Sequence, residues 1–168
     1  MRVILIGFMG VGKTSVGKAL AQKLNIDFID TDFEIEKITN KTITDIFEGC
    51  GEKHFRKLEN EVLKDLVRKN DNIISTGGGI IVSKENCEIL KKEEQVIFLD
   101  ASTETIIKHL SKEVYKRPLL KDSKNLYKKI DDLISTRYEK YKDVCNIRID
   151  VNGKNIDEVV SQILVYIR

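Results

Sequence analysis

The sequence predicts an α/β protein in three layers, a central five-stranded parallel sheet flanked by helices. Short apolar runs alternate with longer amphipathic stretches about five times along the chain. The first apolar run passes directly into a glycine-rich turn. Strand and helix repeated in this way require parallel strands covered on both faces.

The elements follow in chain order. Val3 to Ile6 is an apolar run ending at Gly7. It is too short for a signal segment or a membrane span and reads as a buried strand. From about Lys13 to Leu24 a helix places Val16, Leu20 and Leu24 on one face. Ile26 to Ile29 is a weaker strand. From about His54 to Val67 a second helix carries Leu58, Val62 and Leu66. Ile73 to Ile74 and Val96 to Leu99 are strands bounded by turn or charged residues. A third helix starts near Ser102, and Val144 to Ile149 is a weaker strand. The last helix, about Ile156 to Ile167, has Val159, Val160, Ile163, Leu164 and Ile167 as its stripe. Asn155 and Glu158 form its expected N-cap pair. Residues 111–125 are highly charged, lack a clean period and contain the single proline, Pro118.

The 168 residues fit a single domain, 1–168, and can bury a core without staples. With 41% hydrophobic and 33% charged residues the chain reads as globular. A formal net charge of +2 gives no argument for a nucleic-acid or membrane partner. Cys50, Cys87 and Cys145 are odd in number and lack a CxxC pair, which argues against a disulfide framework or a zinc site. A reducing, cytoplasmic location is expected.

Gly7-Phe8-Met9-Gly10-Val11-Gly12-Lys13-Thr14 matches GxxxxGK[ST] between a strand and a helix. Glycines let backbone N–H groups approach phosphate oxygens, and the helix directs its positive end to the same place. Lys13 is a cation for the β- and γ-phosphates, and Thr14 offers a hydroxyl to Mg²⁺. The fold class is therefore a three-layer P-loop fold. The motif alone serves kinases, GTPases, motors and passive nucleotide-binding modules alike.

Other residues point to a second ligand. Asp30-Thr31-Asp32 follows the second strand, and period two puts both carboxylates on one side of an extended segment. One can face Mg²⁺ through water and the other a substrate hydroxyl; alternatively, Asp32 caps a helix starting at Phe33. Gly77, Gly78 and Gly79 follow a strand, and three glycines suit close backbone approach to a ligand. Arg56 and Glu59 are spaced i and i+3. They form either a surface pair or a guanidinium aimed at a carboxylate. Arg137 is another candidate carboxylate clamp. His54 and His109 are expected to be solvated rather than catalytic.

The segments GFMGVGKTSVG, FIDTD, IFEGCGEKHFRKLE, STGGGI, KRPLL and RYEKY lie in order from Gly7 to Tyr141. Together they resemble the shikimate kinase family, in the nucleoside-monophosphate-kinase-like group of P-loop folds. The resemblance implies transfer of the γ-phosphoryl of ATP to the 3-hydroxyl of shikimate, a step of aromatic amino-acid biosynthesis, with Mg²⁺ as cofactor. It implies that Gly10, Val11, Gly12, Lys13, Thr14 and Ser15 bind the ATP phosphates and that Thr14 and Asp30 serve the metal. Asp32 would bind the acceptor hydroxyl, Arg56 and Arg137 the carboxylate, and Gly77, Gly78 and Gly79 a shelf beside the ring. Ile43, Phe47 and Phe55 would line that pocket. Residues 33–62 would form the substrate-binding helices and 111–125 a mobile lid carrying Arg117 to the phosphates. Lys13, Asp32 and Arg117 would be the catalytic set. The partners implied are ATP and shikimate, with no nucleic acid or membrane, and the chain would be a monomer. The sequence departs from the family where an arginine commonly stands against the adenine: here that place is Leu110, beside His109.

Overall fold

The computed structural model describes residues 1–110 and 125–167. Arg117 and the expected lid lie outside the described residues, save for Asn125. Five strands are present: β1 (Arg2–Ile6), β2 (Asp27–Asp30), β3 (Asn72–Ser75), β4 (Val96–Asp100) and β5 (Ile147–Asp150). They form one parallel sheet in the order β2-β3-β1-β4-β5. The helices are α1 (Lys13–Leu24), α2 (Thr31–Thr39), α3 (Ile43–Leu66), α4 (Lys84–Leu90), α5 (Thr103–Leu110), α6 (Leu126–Val144) and α7 (Ile156–Tyr166).

The strand β1 shows why three layers form. Val3, Ile4, Leu5 and Ile6 are all fully buried, yet alternate residues serve opposite faces. Val3 and Leu5 join a core with Val16 and Leu20 of α1 and Val159, Val160 and Ile163 of α7. Ile4 and Ile6 join the other core, with Leu63 of α3, Leu90 of α4 and Tyr141 of α6. Each such burial is worth roughly 1.5–3 kcal/mol, so a central strand must be apolar throughout. The expected Asn155–Glu158 pair is present as a reciprocal capping box on α7.

Three expectations need correction. The helix expected from His54 begins at Ile43, capped by a Thr42–Asp45 box, and bends at Gly51, whose φ of 79° is non-helical. A broken pattern across that bend hides the first half from periodicity. The weak strand expected at Val144 begins at Ile147, because α6 runs through Val144 and buries it. The acids of Asp30-Thr31-Asp32 do not share an extended segment. Helix α2 starts at Thr31, and its N-cap is Asp30, not Asp32: Asp30 Oδ1 accepts from the N–H groups of Asp32 and Phe33.

Candidate active site

The carboxyl ends of β1, β3 and β5 and the loops that follow them enclose a cavity of about 870 Å³, the expected ligand position in an open parallel sheet. Its floor is the phosphate loop. Gly10 and Gly12 have φ of 79° and 98°, a region open to glycine at little cost. Lys13 is 7% exposed, and its ammonium donates to the Gly7 carbonyl at 2.9 Å and the Phe8 carbonyl at 3.0 Å. The ammonium is thus held inside the curl of the loop. Met9, Gly10, Val11, Gly12, Lys13, Thr14 and Ser15 all line the cavity.

Thr14 opens the way to the second strand. Its hydroxyl donates to Asp30 Oδ2 at 2.8 Å. Asp30 therefore uses one oxygen to cap α2 and the other to meet the phosphate-loop threonine. This pair of hard oxygen donors suits Mg²⁺, which takes one or two protein ligands and completes its shell with phosphate and water. Among the described residues no cluster of three His, Cys, Asp or Glu side chains could hold a metal by itself. Asp32, in the first turn of α2, lines the same cavity.

The three glycines after β3 join the two halves of the site. A side chain on Gly77 would lie 2.6 Å from Asp32 Oδ1 and 2.9 Å from Glu59 Oε1. One on Gly78 would lie 2.7 Å from the Met9 nitrogen of the phosphate loop, and one on Gly79 would overlap the Arg56 guanidinium. The run is glycine because three elements touch it in succession. The Thr31 hydroxyl accepts from the Gly77 N–H at 3.0 Å. The Gly78 carbonyl accepts from Arg137 Nη1 at 3.2 Å and from the Tyr141 hydroxyl.

The arginines are held firmly. Arg56 donates to Glu52 on one side and to Glu59 on the other, at 2.9 Å in each case. The surface-pair reading is excluded, because Glu59 is fully buried. Burial pushes the Glu59 carboxyl up to about 7, against the opposing pull of Arg56. Burial also works against the charge of Arg56, but Glu59 and Glu52 outweigh it and hold the guanidinium protonated more strongly than usual. Arg137, 7% exposed, lies over the Phe8 ring at 5.8 Å. Burial raises the Tyr141 hydroxyl well above its ordinary range, so it remains a donor.

Gly10 to Ser15, Asp30, Asp32, Gly77 and Gly78, all singled out in the sequence, line one cavity. Gly79, the last of the run, does not line that cavity, nor do Arg56, which packs against Gly79, and Arg137, which donates to the Gly78 carbonyl. Phe47 and Phe55, both on α3, meet at 4.9 Å between ring centroids with their planes tilted by 44°, Phe55 in the core and Phe47 half-buried against it. His109 is exposed, as expected of a solvated side chain. Its Nδ1 donates to the Gly10 carbonyl at 2.8 Å, and it lines the cavity. Leu110 packs on Gly10, so the place of the family's arginine is taken by an apolar contact with the loop. Val151, Lys154 and Asn155 also line the cavity and were missed. Their position after β5, at a strand's carboxyl end, was the available signal.

A model of the shikimate kinase family matches residues 9–168. The shikimate kinase of Clostridium botulinum (strain Eklund 17B / Type B) is 42% identical over 96% of this chain and 94% of its own. The solved shikimate kinase from Acinetobacter baumannii, in complex with shikimate, superposes with a TM-score of 0.93 at 36% identity, covering 97% of this chain and 90% of that one. A gluconokinase from Sinorhizobium meliloti has a TM-score of 0.61 at 15% identity, covering 98% of this chain and 89% of that one, a likeness of fold alone. The chain belongs to the shikimate kinase family.

Proposed function

We propose that the protein transfers the γ-phosphoryl group of ATP to the 3-hydroxyl of shikimate, giving shikimate 3-phosphate and ADP, and that the whole chain, 1–168, is one kinase domain. The observation that carries this reading is the glycine run 77–79. One stretch of backbone touches the phosphate loop at Met9, the acid at Asp32, and both arginines, Arg56 and Arg137. A triphosphate grip and a carboxylate grip are thereby fixed relative to each other, which is what an in-line transfer to an acidic alcohol demands.

The backbone N–H groups of residues 10–15 hold the phosphates, and Lys13 places its ammonium against the β- and γ-oxygens. Thr14 and Asp30 would hold Mg²⁺, which would neutralise phosphate charge when bound. Asp32 accepts a hydrogen bond from the attacking hydroxyl, aligns it, and takes its proton as the oxygen–phosphorus bond forms. Arg56 and Arg137 clamp the acceptor's carboxylate. Gly77, Gly78 and Gly79 let the ring lie close to the backbone. Arg117, with the lid 111–125, is assigned to the transferring phosphoryl group by resemblance alone, and residues 33–62 to acceptor binding. Arg117→Ala should lower kcat more than it raises the shikimate KM.

The chain acts as a monomer in the cytoplasm on this reading, where a reducing environment suits its free thiols Cys50, Cys87 and Cys145. Among the described residues no helix is long and apolar enough to cross a membrane. Coupled ADP release is the test, with shikimate, gluconate, a nucleoside monophosphate or no acceptor. Saturable release with shikimate alone is expected. Equal release without an acceptor would leave only an ATPase.

A further inference from the structure

Glu59 sits at the centre of a charge cluster that cannot accept an additional anion unchanged. It is fully buried on α3. From its own helix Arg56 donates to Oε2 at 2.9 Å, and Glu52 shares the same guanidinium. Asp32 faces it from α2, Arg137 and Tyr141 from α6, and the backbone of Gly77 from the segment after β3. Its second oxygen, Oε1, has no hydrogen-bond partner among the described residues. An ionised carboxylate with one oxygen unsatisfied in a dry site is costly, and only the arginines offset it.

The carboxylate of the acceptor, on the reading proposed above, comes to those same arginines. Arg56 then divides its field between two anions, and Glu59 cannot compensate by turning to water. The least costly response is to neutralise Glu59. We propose that Glu59 is a proton-linked positioning residue, which takes up one proton from solvent as the acid-bearing acceptor binds and so releases Arg56 to hold the acceptor's carboxylate. One O–H bond forms at Glu59, and no other bond changes. The charge of the buried cluster is the same before and after, because the acceptor's negative charge replaces that of Glu59. The carboxylate only accepts, whereas the protonated group becomes a donor through its new O–H.

The free carboxyl already stands at the edge of ionisation near neutral pH, at about 7 by burial. An added negative charge within the cluster moves it further in the same direction. Proton uptake should therefore be small in acid, where Glu59 is already protonated, and approach about half a proton per acceptor at pH ~7.

The experiment is calorimetric titration of the full chain with shikimate, in two buffers of unlike ionisation enthalpy, from pH ~5.5 to ~8. The expected result is uptake that grows with pH through neutrality in the wild type and is lost in Glu59→Gln, which still binds shikimate. Equal enthalpies in both buffers across the range would overturn the proposal and leave the acceptor assignment standing. Uptake that persists in Glu59→Gln would overturn it too. No binding of shikimate at all would overturn the function reading, and this proposal with it. Should the variant fail to fold, carbon-13 NMR of glutamate-labelled wild type decides. A buried glutamate titrating near neutrality must move upward when shikimate is added, and an unmoved titration counts against the proposal.

Discussion

Thr14 donates its hydroxyl to Asp30 Oδ2 at 2.8 Å, while the other oxygen of Asp30 caps α2. One carboxylate thus caps a helix and meets the phosphate-loop threonine, a contact assigned to the metal under the proposed function, and two substitutions separate the two roles. Asparagine caps as well as aspartate, whereas alanine forfeits about 0.5–2 kcal/mol. Asp30→Asn should keep the melting temperature but raise the Mg²⁺ concentration needed for half-maximal activity. Asp30→Ala should lose both. Equal Mg²⁺ dependence in wild type and Asp30→Asn would remove Asp30 from the metal site.

Lys13→Ala should abolish transfer, by ~10²-fold or more in kcat, because a donor aimed at developing charge is worth a few kcal/mol. The fold should survive, since β1 and α1 are held by apolar burial on both faces of the sheet. Steady-state kinetics and circular dichroism together check this. Full activity in a folded variant would contradict it.

Gly79→Ala isolates the proposed carboxylate clamp. The backbone there, φ −104° and ψ 8°, admits alanine. The added methyl would instead displace the Arg56 guanidinium. We expect the shikimate KM to rise ~10-fold or more, as for loss of one charged hydrogen bond, while the ATP KM stays unchanged. A parallel rise in both would show a general distortion of the site instead.

The burial of Glu59 also bears on stability. Its folded pKa, about 7, lies above the 4.5 of an unperturbed glutamate. A carboxyl raised on folding contributes stability that is fully present below about 4.5 and is lost as pH rises through about 7. Denaturant unfolding should therefore show wild type losing stability relative to Glu59→Gln between pH ~5 and ~8, by roughly 3 kcal/mol at most. A difference independent of pH would mean that Glu59 stays ionised throughout.

Much of this was legible in the chain itself. Val3 to Ile6 had to be a central strand because only burial on both faces tolerates four consecutive aliphatics. Gly7 to Thr14 carried its own chemistry, and Arg56 with Glu59 were three apart on a helical pattern. What escaped were features set by contacts distant in sequence. Asp30 as the cap of α2 depends on where β2 ends, which Phe28 and Ile29, two apolar residues between two acids, do not mark. The bend at Gly51 concealed half of α3. His109 reaches Gly10 across 99 positions of sequence, and nothing local to a histidine announces that partner. Tyr141 and Arg137 meet on one carbonyl, at Gly78, only because α6 crosses behind the glycine run.

Under the proposed function a phosphate grip and a carboxylate grip hold one alcohol in line with ATP. Proton and phosphorus NMR of the reaction mixture tests it most directly. One phosphate monoester is expected, coupled to the ring proton at carbon 3 of shikimate and formed in step with ADP. ATP consumed while shikimate remains intact, or phosphate carried on another hydroxyl, would contradict it.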